Sequence, residues 1–86
     1  SPALRIIQEL TARGALISYH DPFVPALPEL GLSGSELDVA LEGADAAVLI
    51  TAHPGIDFEA VVHQVPLFID LRGVTRRMHD GNIVRL

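Results

Sequence analysis

Five apolar residues run without interruption from Ala46 to Ile50 and close on Thr51. No polar residue alternates among them, so neither face is built for water. Bounded by Asp45 and by His53–Pro54–Gly55, the run Ala46–Thr51 reads as a strand covered on both sides. A buried helical segment fits less well, on length and on the Pro–Gly stop. A strand covered on both faces needs helices above and below it, which points to a parallel sheet. Ligands of open parallel sheets bind beyond the carboxyl ends of the strands. Thr51, Ala52 and His53 therefore sit where chemistry is expected.

The other elements alternate around this one. Ser1–Pro2 fits an N-cap followed by proline at the first helical position. Ala3, Leu4, Ile7 and Leu10, with Ile6 beside them, form an apolar stripe at helical spacing, and Gly14 closes it. Ala15–Tyr19 reads as a short strand ending in His20–Asp21–Pro22, and Phe23 to Gly31 as a proline-rich loop. Ser33 and Glu36 have capping-box spacing ahead of a helix whose face is Leu37, Ala40, Leu41 and Ala44. Asp57 caps a further helix carrying Phe58, Val61 and Val62. Leu67–Ile69 and Asn82–Leu86 read as strands, with a turn signal at Asp80–Gly81. The order α-β-α-β-α-β-β predicts an α/β fold with three layers, α/β/α, right-handed crossovers and a mainly parallel sheet.

Composition sharpens this picture. At 86 residues the chain is one small domain, and 49% hydrophobic content with a mean hydropathy of +0.36 is rich for that size. Such an excess suggests apolar surface that meets another domain or subunit. The chain has no cysteine, which excludes disulfides, Cys-ligated zinc and a thiol nucleophile within it. Apolar runs fall far short of the ~20 residues of a membrane span, and no signal-peptide pattern opens the chain, so a cytoplasmic protein, or a piece of one, is expected. The net charge of −5 argues against non-specific nucleic-acid binding, but it is uneven. Residues 1–60 carry nine acids and two arginines, whereas residues 61–86 carry four arginines, Arg72, Arg76, Arg77 and Arg85, and two acids. An arginine cluster suits bidentate binding of a phosphate or carboxylate, and equally a solvated basic edge.

Candidate chemistry lies at three strand ends: His20–Asp21–Pro22, Thr51–Ala52–His53 and Asp70–Leu71–Arg72–Gly73. In an extended segment Asp70 and Arg72 point to the same side. Arg72 then faces an anionic ligand with Asp70 orienting it, or the two form a local ion pair that fixes a loop. His53 is either a hydrogen-bond donor to a ligand or a structural loop-end histidine. Asp21 before Pro22 is a turn former. The four histidines never approach metal-ligand spacing, and there is no dinucleotide fingerprint, P-loop or nucleophile elbow.

These stretches, in order, resemble the C-terminal domain of UDP-glucose/GDP-mannose dehydrogenases. The resemblance rests on Ser1–Pro2–Ala3, Gly14–Ala15, Asp21–Pro22, the segment from Leu41 to Thr51 with His53, and Ile69–Asp70–Leu71–Arg72–Gly73–Val74. It covers nearly the whole chain, and His20 to Pro25 is more similar to the UDP-N-acetylhexosamine branch than to the UDP-glucose branch. The resemblance implies a Rossmann-like domain that helps hold a UDP-sugar, with Arg72, Asp70, Thr51 and His53 toward the substrate. It implies a parent enzyme that oxidises the sugar C6 alcohol to a carboxylate and reduces two NAD. NAD and the catalytic cysteine then belong to parts of that enzyme outside these residues, and the partners are the UDP-sugar, the rest of the dehydrogenase chain and a second subunit in a homodimer. The family's domain opens with a strand and a lysine-containing loop running into an Asp-x-Arg-x-Ser-Pro motif. This chain begins at the last two letters of that motif, so residues 1–86 are expected to be the domain without its first strand. The missing strand would leave open edges on Ala15–Tyr19 and Ala46–Thr51. The competing expectation is a stand-alone α/β interaction module without catalysis.

Overall fold

The computed structural model describes residues 2–86, so the N-cap expected at Ser1 lies outside the described residues. The chain is α/β and divides into two compact units, one ending at Glu42 and the other beginning at Gly43.

The first unit opens with helix α1, Pro2–Ala12, with proline in its first turn and Ile7 buried. A Schellman motif ends it. The Ala15 N–H donates to the Leu10 carbonyl (3.0 Å) and the Gly14 N–H to the Thr11 carbonyl (3.0 Å). This closure needs the left-handed conformation that Gly14 adopts, φ 93°.

The strand expected at Ala15–Tyr19 does not form. Residues 15–20 have no ladder partner, and the Leu16 side chain is fully exposed. An apolar sequence favours extended backbone, but a strand exists only when a neighbour forms a ladder with it, and among the described residues the one such contact from another segment is the Ser35 N–H to the Tyr19 carbonyl. The expected loop from Phe23 to Gly31 is more structured than its prolines suggest. Strands β1 (Ala26–Leu27) and β2 (Leu32–Ser33) pair antiparallel around a 3₁₀ turn, Pro28–Leu30. That hairpin pairs Ser33 with Ala26, and the Gly34 N–H bonds to the Pro25 carbonyl at 2.9 Å. The capping box of Ser33 and Glu36 is therefore not made. Glu36 itself is the N-cap of α2, Leu37–Leu41, without a side-chain cap bond. The helix stops before Gly43, φ 69°, so Ala44 lies beyond its face.

The second unit is a small Rossmann-like arrangement. Strands β3 (Ala47–Leu49), β4 (Phe68–Asp70) and β5 (Ile83–Arg85) form a parallel sheet in the order β3-β4-β5. Helix α3, Phe58–Gln64, is the crossover between β3 and β4. Its start follows the sequence: Asp57 caps it, its carboxylate accepting the Ala60 N–H at 3.0 Å. Its end is held from a distance, because the Asn82 amide donates to the carbonyls of Val62 (2.8 Å) and Val65 (2.9 Å). Val61, Val62, Val65 and Phe68 make the buried core of this unit. Each such side chain contributes roughly 1.5–3 kcal/mol.

Strand β3 is less covered than its run of apolar residues implies, since Ala47, Val48 and Leu49 are all half-buried. Ala47 and Leu49 bond to β4 through the Ala47 N–H to Leu67 carbonyl bond (2.9 Å) and the Leu71 N–H to Leu49 carbonyl bond (3.2 Å). In a parallel ladder the backbone groups of Val48 then face the other way, where no described strand lies.

Asn82 satisfies two helix-end carbonyls from a partly buried position, whereas Asp57 satisfies one exposed N–H. Asn82→Ala is expected to cost about 1–3 kcal/mol and Asp57→Ala about 1 kcal/mol. Urea denaturation of both variants checks the ranking, and a larger loss at Asp57 contradicts it.

Candidate functional site

Parallel register places the ends of β3 and β4 side by side. Leu49 pairs with Asp70, and Asp70 pairs with Arg85. The segment starting at Ile50 and the segment starting at Leu71 therefore leave the sheet together at its carboxyl edge, joined by the bond from Leu71 to Leu49. Thr51 and His53 come from the first and Arg72 from the second. This is the edge at which open α/β sheets bind ligands.

Asp70 is the last residue of β4 and is fully buried. A buried carboxylate is costly unless donors replace its water. Four do so here. Oδ1 accepts the N–H of Arg72 (2.9 Å) and of Gly73 (2.8 Å). Oδ2 accepts the N–H of Thr75 (2.9 Å) and its hydroxyl (2.6 Å). A carboxylate has about four lone-pair sites, so these donors use it completely. Burial by itself raises the carboxyl pKa. The bonds from the Thr75 hydroxyl, then from the N–H groups of Thr75, Arg72 and Gly73, outweigh it and hold the pKa at about 2. The wrap around Asp70 requires Gly73 at φ 78°, where a side chain would be strained although space is open.

The ion pair between the Asp70 and Arg72 side chains does not form. The strand ends at Asp70 and the chain turns at once, so Asp70 points inward while Arg72 is exposed. They meet through the Arg72 backbone N–H, and the Arg72 guanidinium has no ion-pair partner among the described residues. Arg76 and Arg77 are likewise exposed on the turn that follows. Arg85 departs from the expected cluster. Its Nη2 donates to the carbonyls of Thr75 and Met78, so it holds that turn.

Thr51 is exposed and His53 half-buried, both on the loop after β3. The third strand end, His20–Asp21–Pro22, belongs to the first unit, where each polar group is built into a loop. The Asp21 carboxylate accepts the Phe23 N–H at 2.8 Å, and His20 Nδ1 lies 2.8 Å from the Ser35 carbonyl. Thr75 was not legible in the sequence. An Asp followed two, three and five residues on by an N–H donor leaves no hydrophobic or charge pattern, although Asp before a glycine-containing turn is a local signal for backbone capture.

The β3–α3 turn does not fit a dinucleotide. The pyrophosphate of such a cofactor sits on a helix N-terminus, and here the Asp57 carboxylate already occupies that position. Among the described residues no three His, Asp or Glu side chains converge to hold a metal ion. No described helix is long and apolar enough to cross a membrane.

A family model described as the UDP-glucose/GDP-mannose dehydrogenase family, UDP binding domain, matches residues 1–77. No curated protein and no solved structure matches the chain.

The Asp70 carboxyl ionises more readily folded, at about 2, than at its ordinary 3.8. Its stabilisation, roughly 2 kcal/mol, is therefore fully present above about pH 4 and is lost as pH falls through about 2. Asp70→Asn puts an amide NH₂ among N–H donors and is expected to lower stability by at least about 2 kcal/mol at neutral pH. In acid the gap between the variant and the parent should narrow. Thermal melts from pH 2 to pH 7 check this, and a constant gap contradicts it.

Proposed function

The chain belongs to the UDP-glucose/GDP-mannose dehydrogenase family, and from that membership we propose that its carboxyl sheet edge holds the UDP part of a nucleotide sugar. The observation that carries the proposal is Arg72. It is an exposed guanidinium without an ion-pair partner among the described residues, at the edge where α/β ligands bind, in the locally basic part of an acidic chain. A guanidinium donates two parallel hydrogen bonds, which suits a diphosphate or a uracil carbonyl. The Thr51 hydroxyl and the His53 imidazole are further donors on the neighbouring loop. Asp70, with all its acceptor sites used, acts on the ligand only by fixing the backbone of Arg72.

In this reading the domain is the C-terminal part of an NAD-dependent UDP-sugar 6-dehydrogenase in the cytoplasm, and the substrate is a UDP-sugar. The reaction converts the C6 alcohol to a carboxylate, with two hydrides leaving to NAD held elsewhere in the protein. The misfit of a dinucleotide at the β3–α3 turn supports that division of labour. The alternative, a stand-alone interaction module without catalysis, draws on the side of β3 that no described strand pairs with, which is suited to pairing with a partner or with a second copy.

Arg72→Ala is expected to weaken uridine diphosphate binding by about 10–100-fold with little change in thermal midpoint, and Arg72→Lys to recover part of it. Calorimetric titration of the full protein with uridine diphosphate checks both, and unchanged affinity in Arg72→Ala overturns the proposal. The 86-residue chain alone is expected to produce no NADH from UDP-glucose and NAD, and steady NADH production by it contradicts the assignment of catalysis to other segments.

A further inference from the structure

We infer that Thr75 is a positioning residue for the nucleotide, acting through Arg72; the inference rests on the reading of Arg72 given above. Thr75 is fully buried and cannot touch a ligand. Yet it supplies two of the four donors on Asp70, its N–H at 2.9 Å and its hydroxyl at 2.6 Å, both to Oδ2. The hydroxyl bond has the short length of a charge-assisted O–H···O⁻ contact. Oδ1 of the same carboxylate takes the N–H of Arg72. The orientation of one carboxylate thus links the Thr75 hydroxyl to the Arg72 backbone.

The Thr75 backbone is also held apart from this link, because its carbonyl accepts from the Arg85 guanidinium and from the Met78 N–H. Loss of the hydroxyl therefore acts mainly on Asp70. Oδ2 would keep one donor at a fully buried position, and the carboxylate would turn to recruit another. Arg72 would then lose its fixed N–H partner at 2.9 Å. Bidentate recognition depends on a planar fork held in place, and a loosened loop must be ordered when the ligand arrives. The expected result is weaker binding without any change in the groups that touch the nucleotide.

Calorimetric titration of the full protein with uridine diphosphate, well below the thermal midpoint, tests this on four variants. Thr75→Val is expected to weaken binding by about threefold to tenfold, and Thr75→Ser, which keeps the hydroxyl, to bind as the parent does. Arg72→Ala combined with Thr75→Val should bind no more weakly than Arg72→Ala alone, because Thr75 acts through the side chain already removed. Should Thr75→Val fail to fold, Thr75→Ala takes its place with the same expectations. A lowered midpoint with unchanged affinity would overturn the inference, and so would a double variant weaker than Arg72→Ala by the whole Thr75→Val factor. If Arg72→Ala itself binds normally, the reading of the site fails, and this is distinguishable because it does not involve Thr75.

Discussion

The second unit is arranged around a negative charge that has been taken out of water. Removing a carboxylate from solvent is among the more expensive things a fold does, and Asp70 carries no ion-pair partner among the described residues to offset it. What replaces the solvent is three consecutive-turn N–H groups and one hydroxyl. These donors exist in the right places only if the chain bends immediately after β4. The carboxylate thus dictates the bend, the bend requires Gly73 in a left-handed conformation, and Arg72 leaves the sheet in a direction that the bend decides.

The same constraint separates the arginines by role. Electrostatics counts Arg72, Arg76, Arg77 and Arg85 as one basic patch. Geometry does not. Arg85 uses its guanidinium on two carbonyls of the turn that Asp70 also holds, so it completes the scaffold. Arg72 remains directed outward, at the edge where β3 and β4 end together. A rigid turn that anchors the backbone of one exposed arginine suits recognition of a planar or bidentate anion, because less of the loop must be ordered on binding.

Much of the second unit was legible in the sequence because its signals are local. Asp57 before Phe58 is a cap with a nearby N–H to accept, and the apolar segments at Ala47–Leu49 and Phe68–Asp70 have a helix between them to cover them. That the loops carrying Thr51 and Arg72 leave the sheet at one edge followed from those segments. What failed depended on partners far along the chain. Ala15–Tyr19 has strand composition but no described neighbour to ladder with. Ser33 has cap spacing, yet the hairpin with Ala26 takes the backbone first. Within the site, Asp70 and Arg72 were assigned to one side because a strand was assumed to continue through both. The carboxylate's own demand for N–H donors ends the strand at Asp70, and neither periodicity nor charge reveals that demand.

The most direct test is the ionisation of Asp70 followed through its carboxyl carbon by NMR, with the amide protons of Arg72, Gly73 and Thr75 observed in the same titration. The account predicts a midpoint at about 2, with those three amides shifting together at that midpoint. A midpoint at the ordinary 3.8, with the three amides indifferent to it, would contradict the account.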